Sequence, residues 1–252
     1  MTREDVTGER WVEHSWDGIP GVLPIGWNDP ASRNAIGAER ARLIGTTLAK
    51  AAEPGVRVVL LGAGQTPFCS GWDVRDLAGL DRSSRDGVRA YFEPGRELMR
   101  ALAECPVPVV AAVSGVALGF GCSLLAQADL VLADEEAQFG LPEIARGFPP
   151  ATVMPELLEV MPARAVGAWA LTGARHDAQR ASMAGLVHRV APKGSLDALL
   201  TDVLTDLTNL DGGVMRAAKA LLRSQRDLPL QERRANGVAA AVDLFAEKEA
   251  SP

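Results

Sequence analysis

Three short apolar runs constrain this chain more than any other feature. They are Val56-Arg57-Val58-Val59-Leu60-Leu61-Gly62, Val107-Pro108-Val109-Val110-Ala111-Ala112-Val113 and Asp129-Leu130-Val131-Leu132-Ala133. Runs of that length with little apolar–polar alternation read as strands buried on both faces, and such strands need covering layers on each side. Helical patterns separate them, over about residues 37–52, 88–103 and 118–128, the first stopped by Pro54-Gly55. Alternating strand and helix predicts a layered α/β architecture. Ahead of these elements, residues 11–14 and 22–25 flank a glycine turn and read as a hairpin, with Pro24 confining the second arm to an edge or a bulge. From Pro155 onward the pattern is mainly helical, apart from Val187-His188-Arg189-Val190, and reads as a separate layer or an oligomerisation element.

Several function classes are excluded by what the chain lacks. With 26 Lys+Arg against 32 Asp+Glu the formal charge is −6, which argues against a nucleic-acid partner. At 252 residues the chain can bury a substantial core without metals or disulfides. Cys69, Cys105 and Cys122 are odd in number and show no C-x-x-C spacing, so reduced thiols and a cytoplasmic setting are expected. Residues 105–128 carry no charge, yet their prolines and glycines suit a strand, a turn and a packed helix better than a bilayer span. His14, His176 and His188 are isolated and read as packing or surface residues rather than metal ligands. No phosphate loop is present; Leu124 stands where a dinucleotide fingerprint needs its third glycine, and neither Ser70 nor Ser114 sits in G-x-S-x-G.

What remains is a set of three loops: Phe68-Cys69-Ser70-Gly71-Trp72-Asp73, then residues 114–123 with Gly119-Phe120-Gly121 at their centre, then Phe139-Gly140-Leu141-Pro142-Glu143. Two glycine turns at the ends of buried strands can aim backbone N–H groups into one pocket, where they would stabilise an oxyanion. A carboxylate from the third loop would add acid–base chemistry. Each feature alone has a plainer use: glycines after strands serve as turns, and Glu143 after Pro142 suits the start of a helix.

Together these motifs resemble the crotonase family, the enoyl-CoA hydratase/isomerase superfamily. The resemblance covers Asn34-Ala35-Ile36, the runs and loops quoted above, Leu171-Thr172-Gly173 and Gly185-Leu186-Val187-His188-Arg189-Val190, in the family's order and at its spacing. It implies an α/β fold, a crotonase-like spiral of ββα units (residues 1–162) with a C-terminal helical trimerisation region (163–252). It further implies an acyl-CoA thioester as substrate, no cofactor beyond that coenzyme A, no nucleic-acid or membrane partner, and a homotrimer or dimer of trimers.

The backbone N–H groups of Trp72 and Phe120 fall on the family's oxyanion donors, beside Gly71, Gly119 and Gly121. Ala35 falls on the adenine-contacting loop, and Ser70 beside the first donor. Glu143 matches the glutamate that delivers the α-proton. Ser123 stands where hydratases carry their other glutamate, and a serine cannot accept a proton as a carboxylate does. Ala151, eight residues after Glu143, lacks the aspartate of dehalogenating and dienoyl-isomerising branches. The resemblance therefore implies an enoyl-CoA hydratase, with double-bond isomerisation as the other reaction. A catalytically weakened acyl-CoA-binding or assembly protein is the alternative from a different class. Arg33 and Arg75, flanking the substrate-side loops, are the candidates for holding the polyanionic CoA on an acidic chain.

Overall fold

The structure is a computed structural model that describes residues 18–62, 67–75 and 80–249. Its strands are β1 (Val22–Ile25), β2 (Val58–Leu61), β3 (Val109–Val113), β4 (Val116–Leu118), β5 (Leu130–Asp134), β6 (Gln138–Gly140), β7 (Arg175–Asp177) and β8 (Arg189–Ala191). Its helices are α1 (Ala38–Leu48), α2 (Arg85–Ala103), α3 (Phe120–Ala126), α4 (Met154–Leu158), α5 (Ala163–Thr172), α6 (Ala178–Met183), α7 (Leu196–Asn209), α8 (Gly212–Gln225) and α9 (Leu230–Glu249).

The three apolar runs become β2, β3 and β5, inner strands of a parallel sheet ordered β1-β2-β3-β5-β8. Side chains alternate faces along a strand, so each run feeds two cores. Val59, Leu61, Val109, Ala111, Val131 and Ala133 point into the main core with Ile44, Leu98, Leu102 and Leu124. Val58, Leu60, Val110, Ala112 and Leu132 face the other way, where Leu196, Leu200 and Leu204 of α7 cover them. Pro24 lies in β1, which is an edge strand, where its missing N–H leaves no inner ladder bond unmade. The first arm of the expected hairpin, residues 11–14, lies outside the described residues, and β1 pairs in parallel with β2.

The helix expected from 118 starts at Phe120, and Leu118 instead ends β4, which pairs in parallel with β6 while β7 adds to β6 antiparallel. Residues 105–128 thus become β3, β4 and α3, and no helix of the described residues is long and apolar enough to cross a membrane. α2 starts three residues earlier than the apolar pattern suggests, because the Ser84 Oγ accepts from the Gly87 N–H at 3.0 Å and caps it.

The chain divides into two compact units between Asn209 and Leu210. The sequence reading placed its boundary at 162/163, but α7 supplies the leucines that close the sheet's second face, so the first unit runs on to Asn209. In the second unit, Asp211 caps α8 by accepting from the Val214 N–H at 2.8 Å, and Leu222, Val238, Val242 and Phe245 are exposed.

Candidate active site

Parallel pairing brings the three loops together. β4 and β6 are in register, Leu118 opposite Gly140, so the turn after one strand lies beside the turn after the other. The Gly119 N–H donates to the Gly140 carbonyl at 2.9 Å and locks that junction. Cys69 bridges in parallel to Ala117, which lays the first loop along β4, and Trp72 bridges in parallel to Ile36 on its other side. Ser70, Gly71, Trp72, Gly119, Phe120 and Glu143 consequently line one cavity of about 660 Å³. That volume is in the ordinary range for a small-molecule site.

Two main-chain donors in this cavity have no acceptor among the described residues. Ile36 bonds to its neighbours on either side of Trp72, through the Gly71 carbonyl at 3.0 Å and the Asp73 N–H at 2.9 Å. In such a parallel bridge the N–H of the middle residue points away from its partner, which frees the Trp72 N–H. Phe120 opens α3, where first-turn N–H groups have no intrahelical acceptor. Both turns need glycine: Gly71 has φ +116° and Gly119 φ +51°, conformations that side chains resist.

Glu143 closes the site. Its side chain lies so close to Gly119 that a Cβ there would collide with Oε1. Oε2 is buried with no hydrogen-bond partner. Loss of water around the carboxylate raises its pKa, against smaller downward pulls from a hydrogen bond with its own backbone N–H and from the charge of Arg146. A half-buried carboxyl with a raised pKa and one oxygen left without a partner is suited to taking up and returning protons.

Other sequence candidates sit elsewhere. Ser123 is fully buried in α3, its Oγ has no hydrogen-bond partner, and it does not line the cavity. Gly121 packs α3 against the first loop, since a Cβ there would sit 3.0 Å from both the Cβ and the carbonyl of Cys69. Ala35 is buried and does not line the cavity, and its carbonyl accepts from Arg40. Arg33 is exposed at φ +55°, and its carbonyl accepts from the Ser70 N–H at 3.2 Å. Arg75 donates to Asp73 through Nε and Nη2, and its Nη2 lies 3.7 Å from Asp29 Oδ2. Neither Arg33 nor Arg75 lines the cavity. Arg82 and Arg146 do, and no ion pair engages either among the described residues. Sequence reasoning missed both; the Arg-rich stretch after Asp73 was the signal for Arg82, and Arg146 lies one short helical turn beyond Glu143.

Thiol and imidazole chemistry find no place here. Burial pushes the Cys69 and Cys122 thiols up to about 12, far from thiolate at neutral pH. His188 accepts from the Val131 N–H at 3.1 Å and His176 stacks on Trp169, both packing roles; His14 lies outside the described residues. The described residues hold no group of His, Cys, Asp and Glu able to bind a metal.

Two main-chain N–H groups and one desolvated carboxyl in a single cavity are chemically able to hold an oxyanion and to take up a proton beside it. The sequence profile of the family described as "Enoyl-CoA hydratase/isomerase" matches residues 19–251. A Mycobacterium tuberculosis (7aS)-7a-methyl-1,5-dioxo-2,3,5,6,7,7a-hexahydro-1H-indene-carboxyl-CoA hydrolase is 32% identical over 207 residues, 81% of each chain. An Escherichia coli 2,3-dehydroadipyl-CoA hydratase is 30% identical over 212 residues, 83% of this chain and 81% of that one. Among solved structures, the Mycobacterium smegmatis enoyl-CoA hydratase superposes with a TM-score of 0.84 at 26% identity, covering 89% of this chain and 87% of its own. An enoyl-CoA hydratase/isomerase from Marinobacter aquaeolei gives 0.83 at 27% identity, covering 94% and 90%. This chain belongs to the enoyl-CoA hydratase/isomerase family and has the crotonase fold.

Proposed function

We propose that the protein moves the double bond of an enoyl-CoA, with Glu143 as the single proton-transfer residue. The observation that carries this reading is that Glu143 is the one acid among the described residues lining the cavity, while Ser123 lies outside that lining. The thioester oxygen binds between the Trp72 and Phe120 N–H groups, which favour the enolate because charge develops there only as the proton leaves. Glu143 removes the C2 proton of a 3-enoyl-CoA and, its acid form being open to exchange with solvent, delivers a proton to C4, giving the 2-enoyl isomer. No second base is required.

Hydration is the second reading, supported by the hydratase names of relatives such as the Escherichia coli protein. Glu143 alone would then orient the attacking water and deliver the proton to C2. Under either reading the chain assembles as a homotrimer or a dimer of trimers through the helices after residue 163, a proposal supported by the apolar residues exposed on α8 and α9.

One experiment addresses these points: light scattering of the purified protein, followed by incubation with 2- and 3-enoyl-CoAs in D2O. Three or six chains per particle, a positional isomer and deuterium in the products fit the first reading; a 3-hydroxyacyl product selects the second. Glu143→Gln should slow exchange by about 10²–10⁴-fold. Tight acyl-CoA binding with no exchange and no new product overturns both and leaves an acyl-CoA-binding protein.

A further inference from the structure

We propose that the Phe120 ring sets the acyl chain length this enzyme accepts, by closing the thioester cavity against a second, apolar space behind it. The inference rests on the acyl-CoA reading of the site and names the chemistry of the group beyond the thioester.

A separate cavity of about 290 Å³ adjoins the first. Trp72, Phe92, Phe120 and Thr152 line both spaces, so these four side chains are the partition between them. The two central rings meet edge to face, with centroids 4.9 Å apart and planes at 74°. Behind them stands the middle of α2, where Pro94 and Gly95 are buried. A Cβ on Gly95 would lie 2.8 Å from Trp72 Cζ3 and 3.2 Å from Phe120 Cε2. The helix therefore leaves the rings no room to retreat in that direction.

Phe120 carries both parts of the device. Its N–H faces the position of the thioester oxygen, and its ring is the wall of the same cavity. A chain running back from that carbonyl is thus held within reach of this ring. Beyond the wall the second space is lined by buried Gly95 and Met99, with four charged residues, Arg89, Glu156 and the ion pair of Arg96 with Glu93, completing its lining. The apolar part of that lining suits the far end of an alkyl chain. In the wild-type protein, methylenes past the partition find no space to bury. With the ring removed they enter the second space, and each one buried is worth about fourfold in affinity.

The test compares C4, C8 and C12 enoyl-CoAs as substrates, and the matching saturated acyl-CoAs as ligands by calorimetry, for wild type and Phe120→Ala. The expected result is a C12:C4 ratio, in kcat/KM and in affinity, that rises at least tenfold in Phe120→Ala. Adding Met99→Phe, which fills the second space alone, should return the ratio toward wild type. Should Phe120→Ala not fold, Phe120→Leu should move the ratio in the same direction. An unchanged ratio in a folded Phe120 variant overturns the proposal, and so does a ratio in Phe120→Ala that Met99→Phe leaves as it was. The calorimetric arm needs no turnover. Absence of all turnover would sink the reaction assigned above while the partition stayed testable, and absence of binding by any acyl-CoA would sink both.

Discussion

Glu143 concentrates the opposing demands of stability and chemistry in one residue. Its folded-state pKa lies above its unfolded value because the carboxyl is desolvated and Oε2 has no partner. For a carboxyl shifted in that direction, the favourable contribution is present below the unfolded pKa and is lost as pH rises through the folded one. At neutral pH the ionised carboxylate therefore costs stability, and Glu143→Gln should raise the melting temperature, by about 2–4 °C for each kcal/mol recovered. The gap between variant and wild type should close in acid and open toward neutral pH. Activity should show the same group from the other side, with kcat/KM rising through an acid limb displaced upward from the usual carboxylate range. Scanning calorimetry across pH checks the first expectation. A variant less stable than wild type at neutral pH would mean that the carboxylate makes a compensating contact. Ser123 is the contrasting residue, a fully buried hydroxyl with no partner. Motif position suggested a catalytic role for it. All seven residues of α3 are buried, Ser123 among them, and Ser123 is not part of the cavity lining to which Phe120 belongs.

At the scale of elements, the sequence disclosed what periodicity can encode and little of what pairing decides. β2, β3 and β5 were legible because a run of branched apolar residues has few other ways to be buried. β4 was not, since Val116-Ala117-Leu118 is too short to show a period and lies between two glycines. β7 is Arg175-His176-Asp177, polar throughout, and is a strand only because Phe139 and its neighbours pair with it. The site divides the same way. Gly71, Gly119 and Glu143 carry local backbone or charge signals, whereas Arg82, in a turn, and Arg146, in a short helical turn after Glu143, line the cavity by tertiary placement. α2 shows tertiary packing overriding propensity, with Pro94 and Gly95 in mid-helix. Alanine is a better helix former than glycine by about 1 kcal/mol in a helix interior. Gly95→Ala should nevertheless destabilise the protein, by about 1–3 kcal/mol, because its Cβ would stand 2.8 Å from the Trp72 ring. Denaturant unfolding measures the loss, and near-UV circular dichroism should change as the Trp72–Phe120 pair shifts. A Gly95→Ala protein as stable as wild type, with an unchanged aromatic spectrum, would show that the rings have slack.

At the scale of the molecule, a net charge of −6 works against a polyanionic CoA ester, and the arginines must overcome that repulsion locally. Arg75 is a poor instrument for this, since its guanidinium is already held by Asp73 and Asp29. Exposed Arg82 and Arg146 line the cavity with no ion pair among the described residues, so they carry the local attraction under the acyl-CoA reading. The two effects differ in range. Charges spread over the surface act across distances that salt screens within about 8 Å at physiological ionic strength, while two cations at the cavity act close to the bound phosphates. Wild type should therefore show a KM for CoA esters that rises with salt, because the attraction being screened outweighs the repulsion. Arg82→Gln/Arg146→Gln removes the attraction and leaves the repulsion. Its KM should start severalfold higher in about 50 mM salt, stay flat or fall as salt is added, and meet the wild-type curve near 0.5 M, where the Debye length is only a few ångströms. Arg75→Gln should keep the wild-type slope. Steady-state kinetics across a salt series decide the matter. A double variant that retained the wild-type rise would locate the attraction on other cations.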